Sequence, residues 1–187
     1  MNDPLGTPFY SLLIIILDGI WIATITKEQE RKLFELADNC SRLWTEINYK
    51  RRQSFFGGEM DWSTDEEYSR YKRLGGSATA QQIIKKNNEA WKSYFALLKL
   101  KRRGKLPPRV NHIRPPGYWR DRRTGRRVLR ILIRNDCYEL GGGVLKLPFG
   151  LKIRWKGENR WKGKQGRLEI IYDEPRGVMV RLPACRG

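Results

Sequence analysis

The chain opens on an apolar run, "SLLIIIL" at residues 11–17, closed by Asp18 and Gly19. Seven residues are too few to cross a bilayer, which takes about 20, and residues 1–7 carry none of the bases a secretory signal needs. The run predicts one or two buried strands, with a signal-like segment as the minor alternative. From Thr26 to about Arg52 the period changes. Leu33, Leu36, Ala37, Cys40, Leu43 and Ile47 recur at steps of three and four, drawing one apolar helical face. Thr26 with Gln29 three residues on forms a capping box at its start. A shorter helix is predicted after Ser63, whose S-x-x-E spacing to Glu66 repeats that signature, and it stops at Gly75 and Gly76.

A third helix begins near Ser77. Ile84, Trp91, Phe95 and Leu98 share one face, widened by Ile83, Ala90, Tyr94 and Leu97, while Lys85, Lys86, Lys92 and Lys99 take the polar sides. Trp91 and Phe95 at that spacing read as core. Beyond Val128 the period becomes two: "VLRILIR", "VLKLP", "LKIRW", "RLEIIYD" and "VMVRL" are short strands bounded by Gly or Pro. With the N-terminal strand they predict an α+β fold, a small antiparallel β-barrel with an inserted helical domain. Lys152, Arg154 and Lys156 alternate onto one exposed face of it. The domain limits read 8–25 for the first strands, 26–100 for the helical domain, 101–127 for a connecting arm and 128–187 for the remaining strands.

Charge changes the picture most in the arm, "KRRGKLPPRVNHIRPPGYWRDRRTGRR". Four prolines, three glycines and few apolar residues rule out a regular element. Eleven bases face Asp121 alone, more than half of the +18 that 38 Lys and Arg leave over 20 Asp and Glu. Self-repulsion on that scale works against compaction and implies a polyanionic partner. The bases are mostly Arg, including Arg102, Arg103, Arg120, Arg122 and Arg123, and Tyr118 and Trp119 lie among them. Arg pairs bidentately with phosphate and aromatic rings stack on unpaired bases, so the mixture points to single-stranded or irregular nucleic acid. A solvated linker is the plainer alternative.

Other chemistry is thin. The chain has 187 residues, 40% of them apolar with seven Trp, which suits one or two small domains with a real core. Cys40, Cys137 and Cys185 stand far apart and His112 is the single histidine, so a zinc site is not expected. Sparse, odd cysteine usage suits a reducing cytoplasm, and no membrane association or cofactor is expected. The glycines at 141–143 lack the phosphate-loop pattern. Asp61, Asp65, Glu66 and Glu67 cluster at a helix start, where acids complement the dipole.

Four stretches, in order, resemble the TnpB (OrfB) proteins of insertion sequences, RNA-guided DNA nucleases. They are "TKEQERKLFELADNCSRLWTEIN", "ATAQQIIKKNNEAWKSYFALLK", "GKLPPR" and "GGGVLKLPFGLKIRWKG". The resemblance covers about residues 20–182. It implies a β-barrel wedge domain interrupted by a helical recognition domain, followed in the family by a RuvC-like nuclease domain with a zinc ribbon. This chain reaches "VRLPACRG" about where that domain would open, so the expectation is a chain that does not cut DNA by itself. Partners implied are a guide-type structured RNA, double-stranded DNA bearing a short flanking motif, and a separate nuclease domain or chain. In such systems base pairing reads most of the sequence and protein reads the flanking motif.

Carried over by position, Gln81 takes the place of a family Gln that contacts the flanking motif, and an amide suits adenine edges. No lysine precedes it in "GGSATAQ". Lys85 follows on the same helix. Arg134 and Asn135 fall where a barrel loop approaches that DNA, and Tyr49, Lys50, Arg51 and Arg52 are candidate backbone contacts, or else a basic last turn complementing the helix dipole. Two other functions fit these residues: a free-standing repressor derived from such an element, and a small basic RNA-binding protein unrelated to transposons.

Overall fold

The computed structural model describes residues 10–17, 19–110, 112–120, 125–156, 166–173 and 177–181, the first 24 residues, Trp155, Lys156 and everything from Tyr172 on by backbone alone. The fold is α+β, with strands β1 (Tyr10–Leu17) and β2 (Gly19–Thr26), helices α1 (Lys27–Phe56), α2 (Asp65–Gly75) and α3 (Ser77–Arg102), then strands β3 (Leu129–Ile133), β4 (Glu139–Gly141), β5 (Val144–Lys146), β6 (Lys152–Lys156), β7 (Leu168–Asp173) and β8 (Gly177–Arg181). Two compact units result. One takes residues 1–38 and 128–187, the other residues 39–127, so the division falls inside α1.

In the first unit the strands form one sheet in the order β3-β7-β8-β1-β2-β6-β5-β4. The apolar run at 11–17 is β1, a hairpin partner of β2 from Tyr10↔Thr26 to Leu17↔Gly19. Its other edge pairs in parallel with β8. Among the described residues no ladder joins β3 to β4, so the sheet is open where a closed barrel was expected. Ile131, Leu132 and Ile133 are all essentially inaccessible. Three successive buried residues mean that both faces of β3 are covered there. The arginine just before them stays polar by pairing diagonally: Arg130 Nη1 lies 3.1 Å from Glu169 Oε1 on the neighbouring strand. The β4–β5 hairpin turns on Gly142 and Gly143, at φ 55° and 71°. Positive φ at both central positions gives the turn whose twist matches the strands.

The capping box forms as the residues predict. Gln29 N–H donates to Thr26 Oγ1 at 3.2 Å and Thr26 N–H to Gln29 Oε1 at 2.9 Å. Gln29 Nε2 also donates to the Lys152 carbonyl, 2.8 Å, tying the start of α1 to β6. The second capping box does not form. Thr64 is the cap residue of α2 without a side-chain bond, because the Ser63 hydroxyl is held by Asp61 Oδ1 at 2.7 Å and by Lys50 Nζ at 2.9 Å.

In the second unit Cys40, Leu43 and Ile47 of α1 are buried, as their spacing predicts, together with Trp44, Tyr71, Ala80, Ile83 and Trp91. The buried face of α3 differs from the apolar stripe. Thr79, Gln82 and Asn87 are inside while Ile84, Phe95 and Leu98 are only part-buried. Two polar contacts account for the rotation. Trp91 Nε1 donates to Asn48 Oδ1 at 3.0 Å, and Asn87 Oδ1 accepts from Arg51 Nη1 at 2.6 Å. The bonded oxygen of Asn87 is buried at little cost, while its Nδ2 is buried without a hydrogen-bond partner among the described residues. A cluster of Phe55, Trp62, Trp91, Tyr94 and Phe95, with ring centroids 5.4–6.2 Å apart, packs the end of α1 against α3.

Candidate nucleic-acid interface

The end of α1 separates four basic and aromatic candidates that are adjacent in sequence, because each helical step turns about 100°. Tyr49 is exposed. Lys50 faces α2, its ammonium 3.2 Å from Asp61 and 3.8 Å from Glu67. Arg51 points inward, four residues beyond Ile47, and is 1% exposed. Its Nη2 lies 3.4 Å from the Trp62 carbonyl and its guanidinium sits 5.0 Å from that ring's centre. Burial holds its pKa down to about 10, with Asp61 and Glu67 opposing the fall. Arg51, expected as a backbone contact, thus has its guanidinium enclosed inside the unit. The helix also runs on to Phe56, so the basic cluster is not its last turn.

Arg52 does reach the surface, and it organises the arm. Its Nη1 donates to the Pro116 carbonyl at 3.0 Å, and its guanidinium lies over Phe56 at 5.5 Å and Tyr118 at 5.7 Å. Asn48 Nδ2 donates to the same carbonyl at 2.9 Å, and Trp44 Nε1 to the Gly117 carbonyl at 3.1 Å. Trp44, Asn48 and Arg52 are spaced by four, so one edge of α1 fastens residues 116–119. Trp119 then stacks on Trp44, centroids 4.5 Å apart and planes 11° from parallel. Its ring therefore works within the fold, whereas Tyr118 is 40% exposed and backed by Arg52. Arg120 is exposed in an isolated bridge to Arg127, and Arg102 and Arg103 are exposed where α3 ends. Arg122 and Arg123 lie outside the described residues.

Gln81 and Lys85 lie on α3 and border an open groove of about 390 Å³ with Thr64, Asp65, Tyr68 and Asn88. Gln81 Nε2 donates to the Tyr68 hydroxyl at 3.3 Å, and that hydroxyl is 2.6 Å from Ser77 Oγ. The Ser77 bond lowers the Tyr68 pKa. The groove thus presents an oriented amide beside a cation. In the sheet unit Lys152 and Arg154 are exposed on either side of buried Ile153, and Lys146 stands opposite Lys152. The backbone of Lys156 pairs with Ile22, and its side chain lies outside the described residues. Arg134 is bound to Asp136 within its own turn, which raises its pKa, and Asn135 beside it is exposed.

Reading the sequence missed Trp44, Asn48 and Phe56, which hold or flank the arm, and Phe149, an exposed ring between β5 and β6. Only the four-residue spacing of Trp44, Asn48 and Arg52 offered a signal. Among the described residues no three His, Cys, Asp or Glu side chains converge as metal ligands. No helix there is long and apolar enough to cross a membrane.

No family model matches the chain. It is similar to the TnpB-like protein ORF457 of Acidianus two-tailed virus, 47% identical over 156 residues that cover 80% of this chain and 34% of that relative. The chain spans about a third of the length of the curated relative it matches. That likeness supports a TnpB-like family for this chain.

Proposed function

We propose that this chain is the nucleic-acid-binding portion of a TnpB-like, RNA-guided DNA nuclease. It binds the guide-RNA scaffold and the DNA beside the target, and strand cleavage is the work of residues in a separate nuclease domain or chain. The observation that carries this reading is the fastened arm. Residues 116–119 are hydrogen-bonded and stacked along α1, so Arg52, Tyr118 and Arg120 stand on an ordered backbone, which a solvated linker would not provide. An arginine behind an exposed tyrosine offers phosphate pairing and base stacking at one place.

In this reading the open sheet is the counterpart of the family's wedge barrel, and Lys152 and Arg154 supply a second cationic face. Gln81 reads one base pair of the flanking motif from the groove it shares with Lys85. The test is the RNA that copurifies with the chain from its native host after a high-salt wash. One dominant structured RNA with a variable end supports guided recognition. A broad mixture dominated by ribosomal RNA leaves a basic RNA-binding protein and removes the assignment of Gln81. On the purified RNA, replacing Arg102, Arg103 and Arg120 with Ala reduces the log–log salt slope by about 0.7–0.9 for each phosphate that is no longer neutralised.

A further inference from the structure

The turn between β5 and β6 reads Pro148, Phe149, Gly150, and Phe149 sits in it at φ 65°, ψ 25°. It is the one non-glycine residue with positive φ among the described residues. That conformation crowds Cβ against the next carbonyl oxygen, which is why glycine and asparagine normally occupy it. The ring is also 55% exposed, and among the described residues no ring or cation partner faces it. The strain opposes folding, and a ring left this exposed contributes little burial against it. Strain of this kind persists where a site uses it.

The surroundings narrow the occupant. Lys146 and Lys152 stand directly opposite each other at the foot of the turn, and Arg154 follows on the same face. Like charges in register repel across a ladder. Glu139 neutralises Lys146 at 2.7 Å, while Lys152 and Arg154 have no ion pair among the described residues. A flat ring at the end of a cationic strand suits a ligand that alternates flat apolar faces with negative charge. An apolar protein surface would not need the cations.

We propose that Phe149 is a nucleobase-stacking residue, its ring taking the face of an unpaired base while Lys152 and Arg154 hold phosphates of the same strand. The inference rests on the nucleic-acid function proposed above and extends it to a residue outside the arm and the groove. The test measures fluorescence anisotropy of a labelled oligouridine and its deoxy counterpart with the full chain, with Phe149→Asn and with Phe149→Trp. Asn accepts positive φ, so Phe149→Asn melts no lower than the wild type and yet binds about tenfold more weakly, the scale of one base stack. Phe149→Trp keeps a ring and keeps the affinity.

A weakening confined to the RNA assigns the stacked base to a guide, and one confined to the DNA assigns it to a displaced strand. Both support the proposal. Wild-type binding with Phe149→Asn undiminished overturns this proposal alone. A wild type that binds neither oligonucleotide overturns it together with the proposed function. A lowered melting temperature in Phe149→Asn also overturns it, because the ring would then be packing within the protein.

Discussion

Asn48 joins three pieces of the helical unit through one amide, and its removal has a calculable cost. Its Oδ1 accepts from Trp91 Nε1 at 3.0 Å and its Nδ2 donates to the Pro116 carbonyl at 2.9 Å, with no exposed surface left. In Asn48→Ala the Trp91 N–H stays buried without a partner, costing about 1–3 kcal/mol. The broken bond to Pro116 adds about 0.5–1.5 kcal/mol, softened because Arg52 still donates to that carbonyl. A total of about 2–4 kcal/mol lowers the melting temperature of a chain this size by roughly 5–15 °C. Thermal melts by circular dichroism measure that fall. Limited trypsin digestion then reads the arm, where cleavage after Arg120 accelerates once the Pro116 anchor is weakened. A melting temperature unchanged within a degree, with digestion unchanged, would refute the claim that this amide fastens the arm.

Other outcomes follow from the same geometry. Arg51→Ala, which leaves Asn87 Oδ1 without its 2.6 Å donor, destabilises the chain by about 1–3 kcal/mol in urea melts. It leaves the salt slope of nucleic-acid binding by the folded fraction unchanged, whereas a surface contact would do the reverse. The Ser63 hydroxyl and N–H hold the Asp61 carboxyl down to about 2. The unfolded chain therefore takes up the proton first, and the stability due to Asp61 is full above its ordinary 3.8 and lost as pH falls towards about 2. Asp61→Asn flattens that acid limb in melts across the range. Burial and the Glu46 bond raise the Tyr71 hydroxyl pKa, so its contribution is full below the ordinary 10.0 and is lost as pH rises through the folded value. Tyr71→Phe removes this loss from an alkaline melting series.

The helices were legible because their signals are local. The Thr26–Gln29 capping box, the paired Gly75 and Gly76 and the three-and-four spacing of Leu33 to Ile47 each act within a turn or two. The Ser63 signature failed for a tertiary reason, since Asp61 and Lys50 capture the hydroxyl that would have capped α2. β4 was invisible at three residues, too short to show a period. Arg51 and Trp119 have partners within the fold that their sequence did not signal, because charge and aromaticity in a basic stretch look alike whether they face solvent or the protein's own interior. Only the placement of Asn87 and Trp44 decides it. Phe149 carried no sequence signal because backbone strain is a property of φ and not of composition.

The middle of the sheet joins strands far apart in sequence. β1 runs between β2 and β8, with Leu13 opposite Val178 and Ile16 opposite Arg181. During synthesis the apolar strand at 10–17 is therefore made long before its neighbour at 177–181. Pairings so distant in sequence form late, because loop closure must precede any gain from contact. Until β8 emerges, β1 shows an unpaired edge of Leu and Ile, the feature that templates association between chains. The helices between them are built from near neighbours and fold without waiting. Any truncation that removes residues 177–181 leaves that edge open permanently, so the cost of losing the last strand falls on the first one as aggregation.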